Sequence, residues 1–309
     1  MRKKLLLAVP LLLAPLAFVA LSPQHALRLA MHLERGRAGL EEKVVVVDEH
    51  EVHYLDGGEG EPILLIHGFG ADKDNWTRVA RYLTDRRRVI AIDLPGFGQS
   101  SRRPEKRYDT TSQAARLDAF AEAIGLPPHH VAGNSMGGHI AGVYAADFPK
   151  RVRSVTFIAN GGVTSSVASE LAQLRAKGDN PLLVTDRASY ERLIDFCFVE
   201  RPLIPGAVIE HFAKIAVKNS AFTKKVWDDL MGHPRPLEPL LPSIAAPSFI
   251  LWGDTDRLLH VSSIDAMRPL LPALRGAVVM KACGHVPMVE RPEEAARHYL
   301  GFLDGLSKT

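Results

Sequence analysis

The stretch Val131-Ala132-Gly133-Asn134-Ser135-Met136-Gly137-Gly138-His139-Ile140 decides how this chain folds. It holds Gly133-x-Ser135-x-Gly137, the pattern of a nucleophile elbow. A strand there runs into a helix through a turn so sharp that the serine backbone is strained. Gly133 and Gly137 carry no Cβ, so strand and helix can close in where a side chain would clash. The serine hydroxyl then stands at the top of a sheet. The helix that follows turns its unpaired N–H groups toward the same place, where negative charge can develop. Five letters alone also fit a plain glycine-rich turn. The neighbours argue for more: 130–132 reads as a short strand, and 138–147 as a helix of small apolar residues that stops before Pro149.

Outward from the elbow, the pattern alternates. Residues 43–47 and 51–55 read as a hairpin, and 63–66 is a continuous apolar run of the kind buried on both faces of a parallel sheet. That run ends in His67-Gly68-Phe69-Gly70, where glycines let a loop approach a ligand and the Phe69 N–H can face a pocket. A helix is expected at 76–83, a strand at 88–92, an amphipathic helix at 111–124 and, past the elbow, a strand at 152–159. The alternation then breaks. Residues 163–237 carry helical patterns with proline joints and no convincing buried strand, the signature of a helical cap inserted between strands. Strands resume at 247–253 and 277–280, and a helix closes at 293–303. The expected fold is α/β: a mostly parallel eight-stranded sheet flanked by helices.

In such a sheet ligands bind at the carboxyl ends of the strands. Those ends carry Gly68-Phe69, Ser135, Asp254 and Asp256, and His285. A serine hydroxyl is barely nucleophilic at neutral pH. It needs a base, and the base needs a group that fixes its tautomer and supports the imidazolium. His285 follows the last strand on a short loop, where it can reach across the sheet top. For the acid, Asp256 lies further past its strand end than Asp254, which is suited to holding the turn through backbone N–H groups. The chain order Ser, Asp, His is that of the α/β-hydrolases.

A net charge of +3 gives no reason to expect a nucleic-acid partner, and two cysteines, Cys197 and Cys283, make neither a disulfide framework nor a zinc motif. Both thiols are expected to stay free, and neither a metal nor a cofactor is expected. The N-terminus is more telling. Met1-Arg2-Lys3-Lys4 precedes an uncharged apolar run at 5–21, 17 residues long, the short end of what spans a bilayer. A signal peptide and a membrane anchor both begin this way. The small-x-small pair Ala20-Leu21-Ser22 is followed at once by Pro23, a poor residue beyond a scissile bond, which favours an uncleaved anchor. On the helix expected at 24–35, Ala26, Leu29, Ala30 and Leu33 share one face, with Arg28, His32 and Arg35 opposite, as on a helix lying among lipid headgroups. Basic residues flank the apolar run on both sides, so charge only mildly favours a catalytic domain on the outer side.

Over residues 43–305 the chain resembles the α/β-hydrolase superfamily. The resemblance rests on His67-Gly68-Phe69-Gly70, Asp93-Leu94-Pro95-Gly96-Phe97-Gly98, Gly133-Asn134-Ser135-Met136-Gly137-Gly138 and Gly284-His285. With its apolar N-terminus it is similar to bacterial membrane-anchored lipases and phospholipases A of the PlaF type, and to membrane-bound monoacylglycerol lipases. The resemblance implies Ser135 as nucleophile, Asp256 as acid and His285 as base, with the backbone N–H groups of Phe69 and Met136 as oxyanion donors. The patterns along the chain give an expected organisation of anchor and juxtamembrane helix (1–40), hydrolase core (41–162 and 239–309) and helical cap or lid (163–238). A serine at the elbow argues against the relatives of this fold that use an aspartate there. Carbon–carbon bond hydrolases, soluble-substrate esterases, peptidases, thioesterases and a non-catalytic ligand sensor remain as rivals, though a sensor has no need of a complete triad. The leading expectation is hydrolysis of carboxylic esters of membrane-derived lipids. The partners expected are a lipid or ester substrate and the membrane through residues 5–35, with a homodimer left open. The place expected is the bacterial inner membrane, single-pass, with the domain on the periplasmic side.

Overall fold

A computed structural model describes residues 23–202 and 204–306. The apolar run at 5–21 and the anchor expected there lie outside the described residues. Among those described, no helix is long and apolar enough to cross a membrane.

Eight strands form one sheet: β1 (Leu40–Val47), β2 (His50–Gly57), β3 (Pro62–Ile66), β4 (Arg88–Ile92), β5 (His129–Asn134), β6 (Val152–Ile158), β7 (Ser248–Gly253) and β8 (Leu274–Met280). Their order across the sheet is β1-β2-β4-β3-β5-β6-β7-β8. β1 and β2 pair antiparallel, as do β2 and β4; every later pairing is parallel. The sheet is therefore mostly parallel and eight-stranded, as the alternation predicts. β3 has β4 on one side and β5 on the other, so the strand order reverses between β3 and β5, where a crevice opens at the carboxyl ends.

The apolar runs are buried because each strand feeds two cores at once. Leu64, Ile66, Ile90, Ile92 and Val131 pack on one face beneath α3 (Thr110–Ala123) and α4 (Met136–Asp147), with Phe120, Ile140 and Tyr144 among the partners. Ile63, Leu65, Val89, Ala91 and Ala132 pack on the other face. There they meet Val79 of α2 (Thr77–Ala80) and Tyr299, Phe302 and Leu303 of α11 (Pro292–Leu306). Successive residues point to opposite faces, so a strand between two layers is buried at every position, as β3 and β5 are.

Between β6 and β7 the described residues form four α-helices, a short 3₁₀ turn (Leu241–Ser243) and no strand: α5 (Glu170–Ala176), α6 (Arg187–Cys197), α7 (Gly206–Lys218) and α8 (Ser220–Gly232). Two short helices, α9 (Ser263–Met267) and α10 (Pro287–Glu290), follow β7 and the His285 loop. At the N-terminal end, α1 (Pro23–Arg37) packs against β1 and α7. Arg35 corrects the expected face pattern. It does not join an open basic face, because its guanidinium meets Asp74 at 2.6 Å and Glu42 at 2.6 Å. Leu29 and Leu33 stay half-exposed, while Arg28 and His32 are exposed. Cys197 and Cys283 are unpaired.

Candidate active site

β5 ends at Asn134 and α4 begins at Met136, so Ser135 alone makes the turn. Its φ of 57° and ψ of −119° lie where L-residues rarely sit. Three backbone hydrogen bonds hold it there. Its N–H donates to the Ile158 carbonyl at 3.0 Å, and its carbonyl accepts from His139 at 3.1 Å and Gly161 at 2.9 Å. The close approach read from the glycines is real: a Cβ on Gly133 would come 2.1 Å from the Gly137 carbonyl oxygen, and one on Gly137 would come 2.2 Å from that of Ile66. The strand, the helix and the neighbouring β3 thus converge on one point. Asn134 and Met136 are buried while Ser135 keeps partial exposure.

The loop after β3 lies directly against that turn, since a Cβ on Gly68 would sit 3.2 Å from the Ser135 Cβ. Among the described residues, the N–H groups of Phe69 and Met136 donate to no protein acceptor. His67 fixes this loop. Its Nε2 accepts from the Leu94 N–H at 3.1 Å, so Nδ1 carries the proton and donates to the Gly68 carbonyl at 2.8 Å. Burial pushes the imidazole pKa down and keeps it neutral for that role.

Past β7 and β8, Asp256 and His285 meet. His285 Nδ1 lies 2.8 Å from Asp256 Oδ2, and both residues are buried. The other carboxylate oxygen accepts from the backbone N–H groups of Leu258 at 2.8 Å and Leu259 at 3.0 Å. The Trp252 indole N–H in turn donates to the Leu259 carbonyl at 3.0 Å, which braces the acid loop from within β7. With Nδ1–H directed to the carboxylate, Nε2 is the ring nitrogen left to accept a proton. Asp254 faces elsewhere. Burial alone would raise its pKa. The Thr255 hydroxyl, the backbone N–H groups of Cys283 and Ala282, and Lys281 instead hold its carboxyl below the usual carboxylate range. It therefore pins the turn before His285, where Ala282 takes a φ of 48°.

Three residues contribute beyond those singled out in the sequence. Asn134 Nδ2 donates to the His285 carbonyl at 3.0 Å and to the Ile158 carbonyl at 3.2 Å, tying elbow to histidine loop. His67 braces the loop of Phe69. Both lie inside the quoted motifs, adjacent to glycines at strand ends, and that adjacency was the available signal. Glu290 gathers backbone N–H groups of Gly284, Val199 and Glu200, and no local pattern announces it. Among the described residues, no group of three or more His, Cys, Asp or Glu is arranged to hold a metal ion.

A cavity of about 690 Å³ adjoins the site, within the size range of small-ligand pockets. It lies between α1, the loop from Gly70 to Asp74 and the helices α6 and α7, with Leu27, Met31, Leu193, Phe212 and Ile215 among its apolar walls. Gly70 directly follows Phe69, so the cavity reaches to within one residue of it; Ser135 and His285 themselves do not line it. Phe69 packs edge-on against Trp227 of α8 at 5.5 Å and against Phe97 at 5.8 Å, so the loop after β3 is roofed by the inserted helices.

A strained serine at a strand-to-helix turn, with a buried His–Asp pair whose histidine loop is tied to that turn through Asn134, defines a serine hydrolase of the α/β type. The family described as alpha/beta hydrolase fold matches residues 61–189. Lipase 3 of Moraxella sp. (strain TA144) is 33% identical over 89% of this chain and 88% of its own length. Monoacylglycerol lipase abhd6-B of Xenopus laevis is 31% identical over 98% of this chain and 94% of its own. The chain belongs to the α/β-hydrolase fold family. Among solved structures, a crystal structure described as a membrane phospholipase A and a bacterial virulence factor is similar. It has a TM-score of 0.92 and 49% identity, over 99% of this chain and 100% of that one.

Proposed function

We propose that this ester hydrolase cleaves the carboxylic esters of membrane-derived lipids, as a phospholipase A, lysophospholipase or monoacylglycerol lipase, through an acyl-enzyme on Ser135. The observation that carries the reading is the cavity beside Phe69, which the inserted helices and α1 wall together and whose apolar stretch is formed by Leu27, Met31, Leu193, Phe212 and Ile215. Such a space takes an acyl chain, and α1 leads back to the apolar segment at 5–21.

In this reading His285 Nε2 takes the proton of the Ser135 hydroxyl as the oxygen attacks the ester carbonyl. Asp256 holds the imidazole by its Nδ1–H and supports the imidazolium. The N–H groups of Phe69 and Met136 receive the oxyanion, and Met136 adds the positive end of α4. His285 then protonates the departing alcohol, and a water activated by the same nitrogen releases the acyl group. The helices within 163–238 serve as the cap. Residues 5–21 hold the enzyme in the bacterial inner membrane with its domain on the periplasmic side, and the exposed Leu29, Leu33, Arg28 and His32 of α1 meet the bilayer surface. The similar solved protein being a membrane phospholipase A supports the membrane association.

The test is a substrate panel on detergent-solubilised full-length protein: p-nitrophenyl butyrate, a monoacylglycerol, a lysophospholipid and glycerophospholipid vesicles. Lipid turnover is expected, and Ser135→Ala is expected to lower it roughly a thousandfold or more without unfolding. Near-wild-type activity in folded Ser135→Ala removes the nucleophile. Turnover of the p-nitrophenyl ester with none of the lipids removes the lipid reading and leaves the esterase.

A further inference from the structure

His285 is held by more than Asp256. Its own N–H donates to the carbonyl of Cys197 at 2.9 Å. Cys197 is the last residue of α6, where a helix leaves carbonyls without partners of its own. Next to it, the Gly284 N–H donates to Glu290 Oε2 at 2.9 Å. The other oxygen of the same carboxylate accepts from two N–H groups just past α6: Val199 at 3.0 Å and Glu200 at 2.8 Å. One carboxylate thus closes a bridge between two segments some ninety residues apart in sequence. The contact is tight, because a Cβ on Gly284 would come within 2.5 Å of the Cys197 carbonyl oxygen and 3.1 Å of Glu290 Oε2. Glu290 itself is placed by its helix, since its N–H donates to the Val286 carbonyl at 3.0 Å, one residue beyond the histidine.

α6 is also a wall of the cavity, through Tyr190 and Leu193. The helix that the ligand touches is therefore the helix whose end grips the histidine loop. We propose that Glu290 is a positioning residue that staples the exit of α6 to the Gly284–His285 backbone, so that the seated cap sets the aim of the base. This rests on His285 being the base. A carboxylate suits the task better than any other group of its length: each oxygen takes donors from a different segment, and charge strengthens all three bonds. Gln offers only one acceptor oxygen and Ala offers none.

The experiment uses the full-length protein and p-nitrophenyl butyrate. Glu290→Ala is expected to lower kcat about 100-fold with KM little changed, because the pocket persists while the base loses its aim. Glu290→Gln, whose amide oxygen serves one donor set, is expected to recover part of kcat. Val199→Pro deletes one donor on the cap side and leaves the carboxylate intact. Phe198, at φ −116° and ψ 144°, already has the backbone that a residue before proline adopts. A lower kcat at unchanged KM is expected here as well, and this variant with Glu290→Gln carries the test if Glu290→Ala does not fold. Wild-type kcat in folded Glu290→Gln and Val199→Pro overturns the staple, as does a loss confined to KM or to thermal stability. Turnover that survives His285→Ala strikes the assignment of the base instead, a result that separates the two readings.

Discussion

Asp254 and Asp256 stand two residues apart at one strand end, yet their surroundings give them different work. Asp256 offers one oxygen to His285 and the other to the Leu258 and Leu259 N–H groups, so its orientation is fixed before any substrate arrives. Asp254 takes its hydrogen bonds from Thr255 and the loop that precedes the histidine. Asp256→Asn keeps the shape and removes the charge that, in the proposed mechanism, supports an imidazolium. It is expected to lower kcat/KM on p-nitrophenyl esters about 1,000-fold or more. Asp254→Asn loosens a turn and is expected to cost less than about tenfold. Both need matched melting curves. If Asp254→Asn proves the more damaging to turnover, the acid is wrongly assigned. The distance past the strand end, visible in the sequence, separates these two residues. The contacts of Asn134 and Glu290 were not legible, because each reaches a backbone group far along the chain, and backbone groups leave no trace in residue identity.

Among the elements, those buried on both faces were read most nearly from the sequence, and those that were not drifted. β3 is apolar throughout, and β4 after Arg88, because two layers require it. β8 was expected only at 277–280, yet it begins at Leu274, since an edge strand with one half-covered face needs no apolar run. The helix expected at 76–83 is instead a 3₁₀ turn (Lys73–Trp76) followed by the single turn of α2. Asp72 starts it early by accepting from the Asp74 N–H, and past Ala80 the chain tightens, with Leu83 bonded back to Ala80 at 2.8 Å. The β5–α4 unit carries its own pH dependence. His129 is fully buried and stacked on Tyr144, and burial lowers its pKa to about 4. A histidine lowered in the fold stabilises it above the unfolded pKa of about 6.5, and that contribution is lost as pH falls toward 4. Unfolding free energy is therefore expected to fall by up to about 3 kcal/mol from this residue over that window, and His129→Gln to flatten the slope. Denaturant titrations at pH 7 and pH 4.5 measure it. An unchanged slope in the variant means that the buried His50, His67 and His130 and the half-buried His139, all lowered by burial, carry the effect instead.

At the scale of the whole molecule, α1 is where the catalytic domain and the proposed membrane surface meet. The sequence places the first strand at 43–47, so a cut near Lys43 would leave that strand whole. The structure shows that such a cut removes Leu40 to Glu42 of β1, the buried Ala38 and the Arg35 bridge to Asp74, so it disturbs the core and the cavity wall together. Substitutions on the outer face of α1 separate the roles. Leu29 is 51% exposed and Leu33 50%, and neither lines the cavity. About half of each side chain is still open to lipid, worth on the order of 1 kcal/mol apiece. Replacing both with Ser is expected to leave thermal stability and p-nitrophenyl butyrate turnover as in wild type. Hydrolysis of phospholipid in vesicles is expected to fall about 30-fold, as the combined loss of about 2 kcal/mol dictates. Vesicles with added anionic lipid should restore part of that rate, because Arg28 and His32 remain exposed beside the altered positions. Equal vesicle rates for the double variant and wild type would mean that this face of α1 does not touch the bilayer. An equal fall on both substrates would place the leucines in the fold rather than at the membrane.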